Sequence, residues 1–237
     1  MLTSSPGGPG ATDVGGRPDA AAVKALVAVH AALLVAGGVA LALPVPAQGW
    51  AVLAVVVGYA AALPVVCRAA GRADWAALAV FLVPGSVFQV LPDWVLADLV
   101  GTLAFPDRGG PRVDDVIPVA MAAMWVAPLF LAVVLAGLRP GLSALTALVV
   151  FAGAELLAPV VGLWEPVGDT ARLLGVALYV LPAEAALGWA TAFAFLATRH
   201  RPPAQRVAAA LAVSTFYLGA LVLAHFVIDV AGWRITA

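Results

Sequence analysis

The chain has 237 residues, 64% of them hydrophobic and 11% charged, with a formal net charge of −1 and a mean hydropathy of +1.06. Ordinary soluble domains run at about 45–50% apolar and about 25% charged, so a water-soluble globular fold is excluded, and a charge near zero gives no field to attract nucleic acid. One cysteine, Cys67, and three scattered histidines offer neither an internal disulfide nor zinc-site spacing, so no metal or cofactor is expected.

Residues 1–19 combine Gly, Pro, Ser and Thr with little apolar content and are expected to form a disordered tail. They do not read as a signal peptide, because the apolar stretch that follows is long and lacks a small-residue cleavage motif. Residues 20–237 read as one membrane domain. A spanning helix takes about 20 residues, and apolar runs bounded by Gly, Pro and charge predict seven, over 23–43, 50–67, 75–91, 116–138, 141–163, 172–197 and 206–230. Segment 92–115 differs. It opens with Pro92-Asp93-Trp94, holds a short apolar piece over 95–105 and ends in FPDRGGPRVDD, which predicts a short re-entrant or interfacial helix between helices 3 and 4. The fold class is therefore an all-α polytopic membrane bundle of seven transmembrane helices, multi-pass in the cell membrane.

Basic residues resist translocation. With a cytoplasmic N-terminus the inner side carries Arg17, Lys24, Arg68, Arg72, Arg139, Arg199, Arg201 and Arg206, against Arg108, Arg112, Arg172 and Arg234 outside, which favours that orientation. Trp50, Trp75, Trp94, Trp164 and Trp233 fall at predicted helix ends, where indole rings prefer to sit, while Trp125 and Trp189 fall inside.

Several chemistries lack their residues. The only lysine is Lys24, at the start of the first helix, so no last-helix lysine is available to hold retinal. HExxH, GxSxG and Walker A patterns are absent. Asp114-Asp115 is followed by Val-Ile-Pro rather than a spaced third acid, and the chain has no asparagine, which argues against magnesium-assisted diphosphate ionisation.

The informative residues are acids. Glu155 and Glu184 fall inside the fifth and sixth predicted helices, on the order of 12 Å and 18 Å below their non-cytoplasmic ends at 1.5 Å rise per residue. An ionised acid at the bilayer centre costs roughly 2.5–3.5 kcal/mol on insertion scales, so both are expected to be protonated, paired or beside a wet cavity. Ala177, Gly188 and Thr191 share a face with Glu184, and Ala152 and Gly162 share one with Glu155, a pattern that predicts room beside each carboxyl. Asp93, at the outer end of the third helix, is the third candidate catalytic acid. Gln89 lies four residues before it and His225 four before Asp229, within helical contact. Trp125, Phe151, Tyr179, Trp189 and Tyr217 add π-faces and hydroxyls at membrane depth, with Phe130, Phe193, Phe195 and Phe216 as further rings. The first five, together with Gln89, Trp94, His225 and Asp229, are the substrate-binding candidates. A carboxylic acid among aromatics could protonate an olefin or epoxide and stabilise the cation, each ring contact contributing about 0.5–2 kcal/mol. Each feature also has a structural reading: acids as hydrogen-bonded glue between helices, His225 and Asp229 as the polar end of a helix, and single aromatics as core.

In length, seven predicted spans, carboxylates within helices and lack of a metal motif, the chain resembles the small integral-membrane terpene cyclases of fungal meroterpenoid and bacterial indole-sesquiterpenoid pathways. The blocks FQVLPDW (88–94), FPDRGGPR (105–112) and LYVLPAE (178–184) also resemble segments of bacterial membrane proteins of this size. The cyclase resemblance implies metal-independent, proton-initiated cyclisation of a lipophilic prenylated small molecule that enters sideways from the bilayer. It assigns no catalytic acid to a numbered position. Two alternatives stand beside it: a proton-coupled or small-solute transporter, since acids at graded depth also describe a relay, and a structural membrane subunit. The inner halves of the predicted helices carry Thr146, Thr191, Thr198 and Ser214 and no buried charge, which predicts a pocket open on one side.

Overall fold

The structure, a computed structural model, describes residues 19–231; residues 1–18 of the predicted tail, Trp233 and Arg234 lie outside the described residues. It is all-helical apart from three two-stranded pairings. Six helices are long and apolar enough to cross a membrane: α1 (Ala20–Leu41), α2 (Ala47–Ala69), α3 (Ala73–Val100), α5 (Pro140–Val161), α6 (Val180–Thr198) and α7 (Pro203–Val230). The seventh, α4 (Met121–Leu135), is apolar but shorter.

Local chemistry fixes several boundaries. The Asp19 carboxyl accepts from the Ala22 amide at 2.7 Å, so α1 starts three residues earlier than its apolar run. Pro140 and Pro203 open α5 and α7 from the first turn, where proline loses no hydrogen bond. α4 packs against α2, α3, α5 and α6, and Val126, Leu129, Phe130, Ala132 and Val133 are all buried. That central position is why it is hydrophobic all round.

Three expectations are corrected. First, 92–115 contains no separate re-entrant or interfacial helix, because α3 runs through Pro92 and ends in a π-helical turn over Val95–Val100. Pro92 cannot donate to the Phe88 carbonyl, four residues back. The Ser214 hydroxyl of α7 donates to it instead, at 2.8 Å, the kind of substitute that lets proline persist inside membrane helices. Second, the helix expected over 116–138 begins at Met121. Arg112–Val113 (β2) and Ile117–Pro118 (β3) form a hairpin instead, turned by Asp114 and Asp115 at positive φ, which short polar side chains tolerate. Third, the helix expected over 172–197 begins at Val180. Arg172–Leu173 (β5) pairs with Val176–Ala177 (β6) about Leu174 and Gly175, both at positive φ, as a two-residue hairpin turn requires.

The connections alternate between two ends of the bundle. Links 70–72, 136–139 and 199–202 are short. Links 101–120 and 162–179 are long and meet each other: Leu103–Ala104 (β1) pairs with Glu165–Pro166 (β4), and the Arg108 side chain donates to the Gly162 carbonyl at 3.2 Å. The Gly49 amide of α2 donates to the Arg108 carbonyl at 2.8 Å. A Cβ on Gly49 would strike the Gly109 backbone, so only glycine allows the 101–120 link to close over α2.

Candidate active site

Under the long links lies a cavity of about 50 Å³ lined by all three candidate acids, Asp93, Glu155 and Glu184. Because the hairpin displaces the start of α6, Glu184 is in its second turn rather than near its middle. Counting from the long-link ends of their helices, Asp93, Glu155 and Glu184 stand about 10, 9 and 6 Å deep, so the acids share one level. Asp93 and Glu184 are buried, with 4% and 1% of their surfaces exposed, and Glu155 is part-buried.

Two of the carboxyls have dedicated donors. The Trp125 indole donates to Asp93 Oδ2 at 3.1 Å and the Trp164 indole to Glu155 Oε1 at 3.0 Å. An indole N–H can only donate, so each of these oxygens is an acceptor whether the acid is charged or neutral. Glu184 is different, since its buried Oε2 has no hydrogen-bond partner. Phe151 and Tyr217 complete the wall around Trp125, with ring centroids 5.4 Å and 5.6 Å from it. The roof comes from the links: Thr102 and Tyr179 share a hydroxyl hydrogen bond of 2.8 Å, beside Phe105, Trp164 and Pro166.

Seven of the twelve candidate residues therefore line one cavity: Asp93, Glu155, Glu184, Trp125, Phe151, Tyr179 and Tyr217. The other five, Gln89, Trp94, Trp189, His225 and Asp229, lie outside its lining. Gln89 is buried between α3 and α7 beside the Ser214 hydroxyl, 3.4 Å away. The Trp94 indole donates to Asp114 Oδ2 at 3.2 Å and so ties α3 to the β2–β3 hairpin. Trp189 is 42% exposed and stacks on Phe193 at the bundle surface. His225 packs edge-on against the Tyr179 ring at a centroid distance of 5.2 Å and bonds Asp229 at 3.0 Å. Asp229 in turn accepts from the Ala171 amide at 2.8 Å, so the pair clips the 162–179 link to α7. Phe130 and Phe195 belong to the core.

Of the face expected to give room beside Glu184, Ala177 lines the cavity, as does Ala154 beside Glu155. Gly188 does not: a Cβ there would collide with Ala147 and the Ser143 carbonyl, so this glycine seats α6 against α5. Sequence reasoning missed Thr102, which carries no signal in a link, and the indole donors' partners, which helix-end tryptophans do not announce. Among the described residues no group of three His, Cys, Asp or Glu side chains is arranged to hold a metal ion.

Residues 90–228, more than half of the chain, match the family model described as Domain of unknown function (DUF6989). The chain belongs to the DUF6989 family. Every residue lining the acid cavity falls inside that match, whereas α1 and α2 fall outside it. No curated protein and no solved structure matches the chain.

Proposed function

We propose that this DUF6989 chain is an integral-membrane terpene cyclase that starts metal-independent cyclisation of a lipophilic prenylated molecule with a proton from a buried carboxylic acid. The observation that carries the reading is the pairing of acid with indole inside one aromatic cavity. An acid in oil is a weak proton donor because its conjugate anion is poorly solvated. A donor already aimed at the carboxyl stabilises that anion as it forms, without reorganisation. Asp93 and Glu155 each commit one oxygen to an indole and keep the other for the proton. The faces of Trp125, Phe151, Tyr179 and Tyr217 then stabilise the cation left on the substrate.

The step balances within the site. The carboxyl O–H proton moves to an alkene carbon or an epoxide oxygen, an internal alkene attacks the resulting cation to form a C–C bond, and loss of a C–H proton returns the carboxylate to its acid form. Substrate and product therefore have equal mass.

The same reading places the protein in the cell membrane with seven crossings, α4 included, and a cytoplasmic N-terminus. The contact of the 101–120 link with both the start of α2 and the 162–179 link, at the end opposite links 70–72, 136–139 and 199–202, supports an alternating path. Arg68, Arg72, Arg139, Arg199, Arg201 and Arg206 lie at the short-link end, as cytoplasmic flanks do.

Membranes bearing the protein are to be incubated with prenylated indoles, with and without an epoxide on the chain, and extracts searched for isomers of unchanged mass. New isomers that disappear in a Glu155→Gln, Glu184→Gln or Asp93→Asn variant support the cyclase. No isomer from any substrate, together with proton movement across sealed vesicles, replaces it with a transporter.

A further inference from the structure

The acid cavity is small for the work assigned to it. At about 50 Å³ it has room for a few waters, whereas sites for drug-sized ligands run roughly 300–1,000 Å³. Only the reacting end of a prenylated molecule fits. The missing space lies next to it, in a groove of about 510 Å³ between α1, α2, α4 and α5. Met124, Pro128, Ala154 and Trp164 line both volumes, so the two are separated by single side chains. One of these, Trp164, is the residue whose indole holds Glu155.

The groove is built for hydrocarbon. Its lining is aliphatic apart from His30, Tyr59 and Trp164, and the polar atoms of those three are occupied. The Leu26 carbonyl, 2.8 Å from His30 Nδ1, can only accept, so Nδ1 carries the hydrogen. In the neutral ring Nε2 then accepts from the Tyr59 hydroxyl at 2.9 Å. The hollow itself comes from absent side chains. Gly37 and Gly38 stand on its α1 wall, and a Cβ added to either would meet nothing within 4 Å. Glycine weakens a helix interior relative to alanine, so two in succession give up helix propensity and leave space. At the other end of the combined volume, the buried and unpartnered Glu184 Oε2 leaves a hydrogen-bonding position for a polar atom of a ligand, since such groups are normally paired.

We infer that the groove between α1, α2, α4 and α5 holds the isoprenoid tail of the molecule whose reacting end lies among Asp93, Glu155 and Glu184, so that groove and acid cavity form one two-part site divided by Trp164. This rests on the cyclase reading for the nature of the reacting end. The occupant is an amphiphile with a polar terminus and a branched hydrocarbon chain. A tail already in the bilayer gains nothing from leaving water, so retention depends on van der Waals fit to the hollow.

The test uses the full chain in nanodiscs of palmitoyl-oleoyl phosphatidylcholine, photolabelled with a diazirine-bearing geranylgeraniol and mapped by peptide mass spectrometry. Label is expected on α1, α2, α4 and α5 residues of the groove, displaced by unlabelled geranylgeraniol and not by added phosphatidylcholine. Gly38→Leu, which fills open space in a helix it also favours, is expected to lower that labelling about tenfold as fitted contact becomes ordinary bilayer contact, with thermal unfolding unchanged or raised; Gly38→Ala is expected to change it little. Label spread evenly around the bundle, or displaced by phosphatidylcholine, or unaltered in Gly38→Leu, overturns the inference. Turnover is read separately. Specific groove labelling without isomer formation removes the cyclase and leaves a lipid-tail site, whereas isomer formation with unaltered Gly38→Leu labelling removes the groove and leaves the cyclase.

Discussion

Toward the short-link end Thr146 and Thr198 bond carbonyls through their hydroxyls, whereas the long-link end buries the carboxyls of Asp93 and Glu184 beside the hydroxyls of Thr102 and Tyr179. Helix interiors present carbonyl acceptors, so a hydroxyl can find a partner in its own helix or the next: Thr198 donates to the Ala194 carbonyl at 2.6 Å and Thr146 to the Ala132 carbonyl of α4 at 2.6 Å. A carboxylate finds no donor there and must be supplied with one from another element. Trp125 of α4 and Trp164 of the 162–179 link supply Asp93 and Glu155. Hydroxyls at one end fasten helices at little cost, whereas acids at the other end need a purpose-built environment, which is where chemistry is expected.

The comparison breaks most visibly if the two ends respond alike to loss of their polar groups. Asp93→Asn, Glu155→Gln and Glu184→Gln keep shape and remove the proton. Each is expected to lower isomer formation by about 100-fold or more, the usual scale for general acid catalysis, with unfolding temperatures close to the parent. Thr198→Val at the other end is expected to leave the rate unchanged. Equal rates in the acid variants and the parent would reduce the carboxyls to helix fasteners.

A smaller effect separates the acids from their donors. Trp125→Phe retains a ring against Phe151 and Tyr217 and deletes the N–H, leaving a buried Asp93 oxygen unpaired, which costs about 1–3 kcal/mol. For a chain of this size that is a fall of very roughly 2–10 °C in Tm, accompanied by slower turnover as the anion loses its donor. Trp164→Phe acts on a part-buried carboxyl and is expected to cost less stability. A Trp125→Phe protein with parental Tm and rate would show that the indole contributes packing alone.

How much of this was legible beforehand depends on the kind of signal. Six spans and three acids follow from hydropathy and from the rarity of carboxyls in apolar runs. The level at which the acids stand does not, because Val176, Ala177 and Ile117 are as apolar as helix residues and only Leu174-Gly175 and Asp114-Asp115 mark the hairpins. Pro92 read as a helix end, and its continuation depends on Ser214, which lies 126 residues away from the carbonyl it satisfies. His225 and Asp229 were legible as a pair by their i, i+4 spacing, yet the Ala171 amide they hold is visible only in three dimensions. Long-range partners, not composition, decided which polar residues became site and which became scaffold.

That scaffold gives the next test. His225→Ala removes the ring beside Tyr179 and frees Asp229, so the 162–179 link loses one of its fastenings. The expected loss is about 2–4 kcal/mol, the scale of a hydrogen bond to a charged group plus an aromatic contact. Faster proteolysis within 162–179, and none at 136–139 or 199–202, is the signature that the effect stays at the long-link end.

The smallest effect belongs to the short-link end's own ion pair. Arg72 donates to both Asp74 oxygens, from Nε at 2.9 Å and from its terminal nitrogen at 2.6 Å, and its guanidinium stands 4.1 Å from the Trp75 ring centroid. The Asp74 carboxylate holds the guanidinium charged and raises its already high pKa, so pH within the working range cannot break the pair and substitution must. The pair is part-buried near the bundle surface, where ion pairs contribute about 1 kcal/mol or less and the ring contact about 0.5–1 kcal/mol. Arg72→Ala is therefore expected to lower stability by about 1 kcal/mol, to lose part of that difference in high salt, and to leave isomer formation untouched, because nothing at this end reaches the acid cavity. A fall in rate with Tm preserved would mean that the two ends are coupled through α3, whose first turn carries Asp74 and whose later turns carry Asp93.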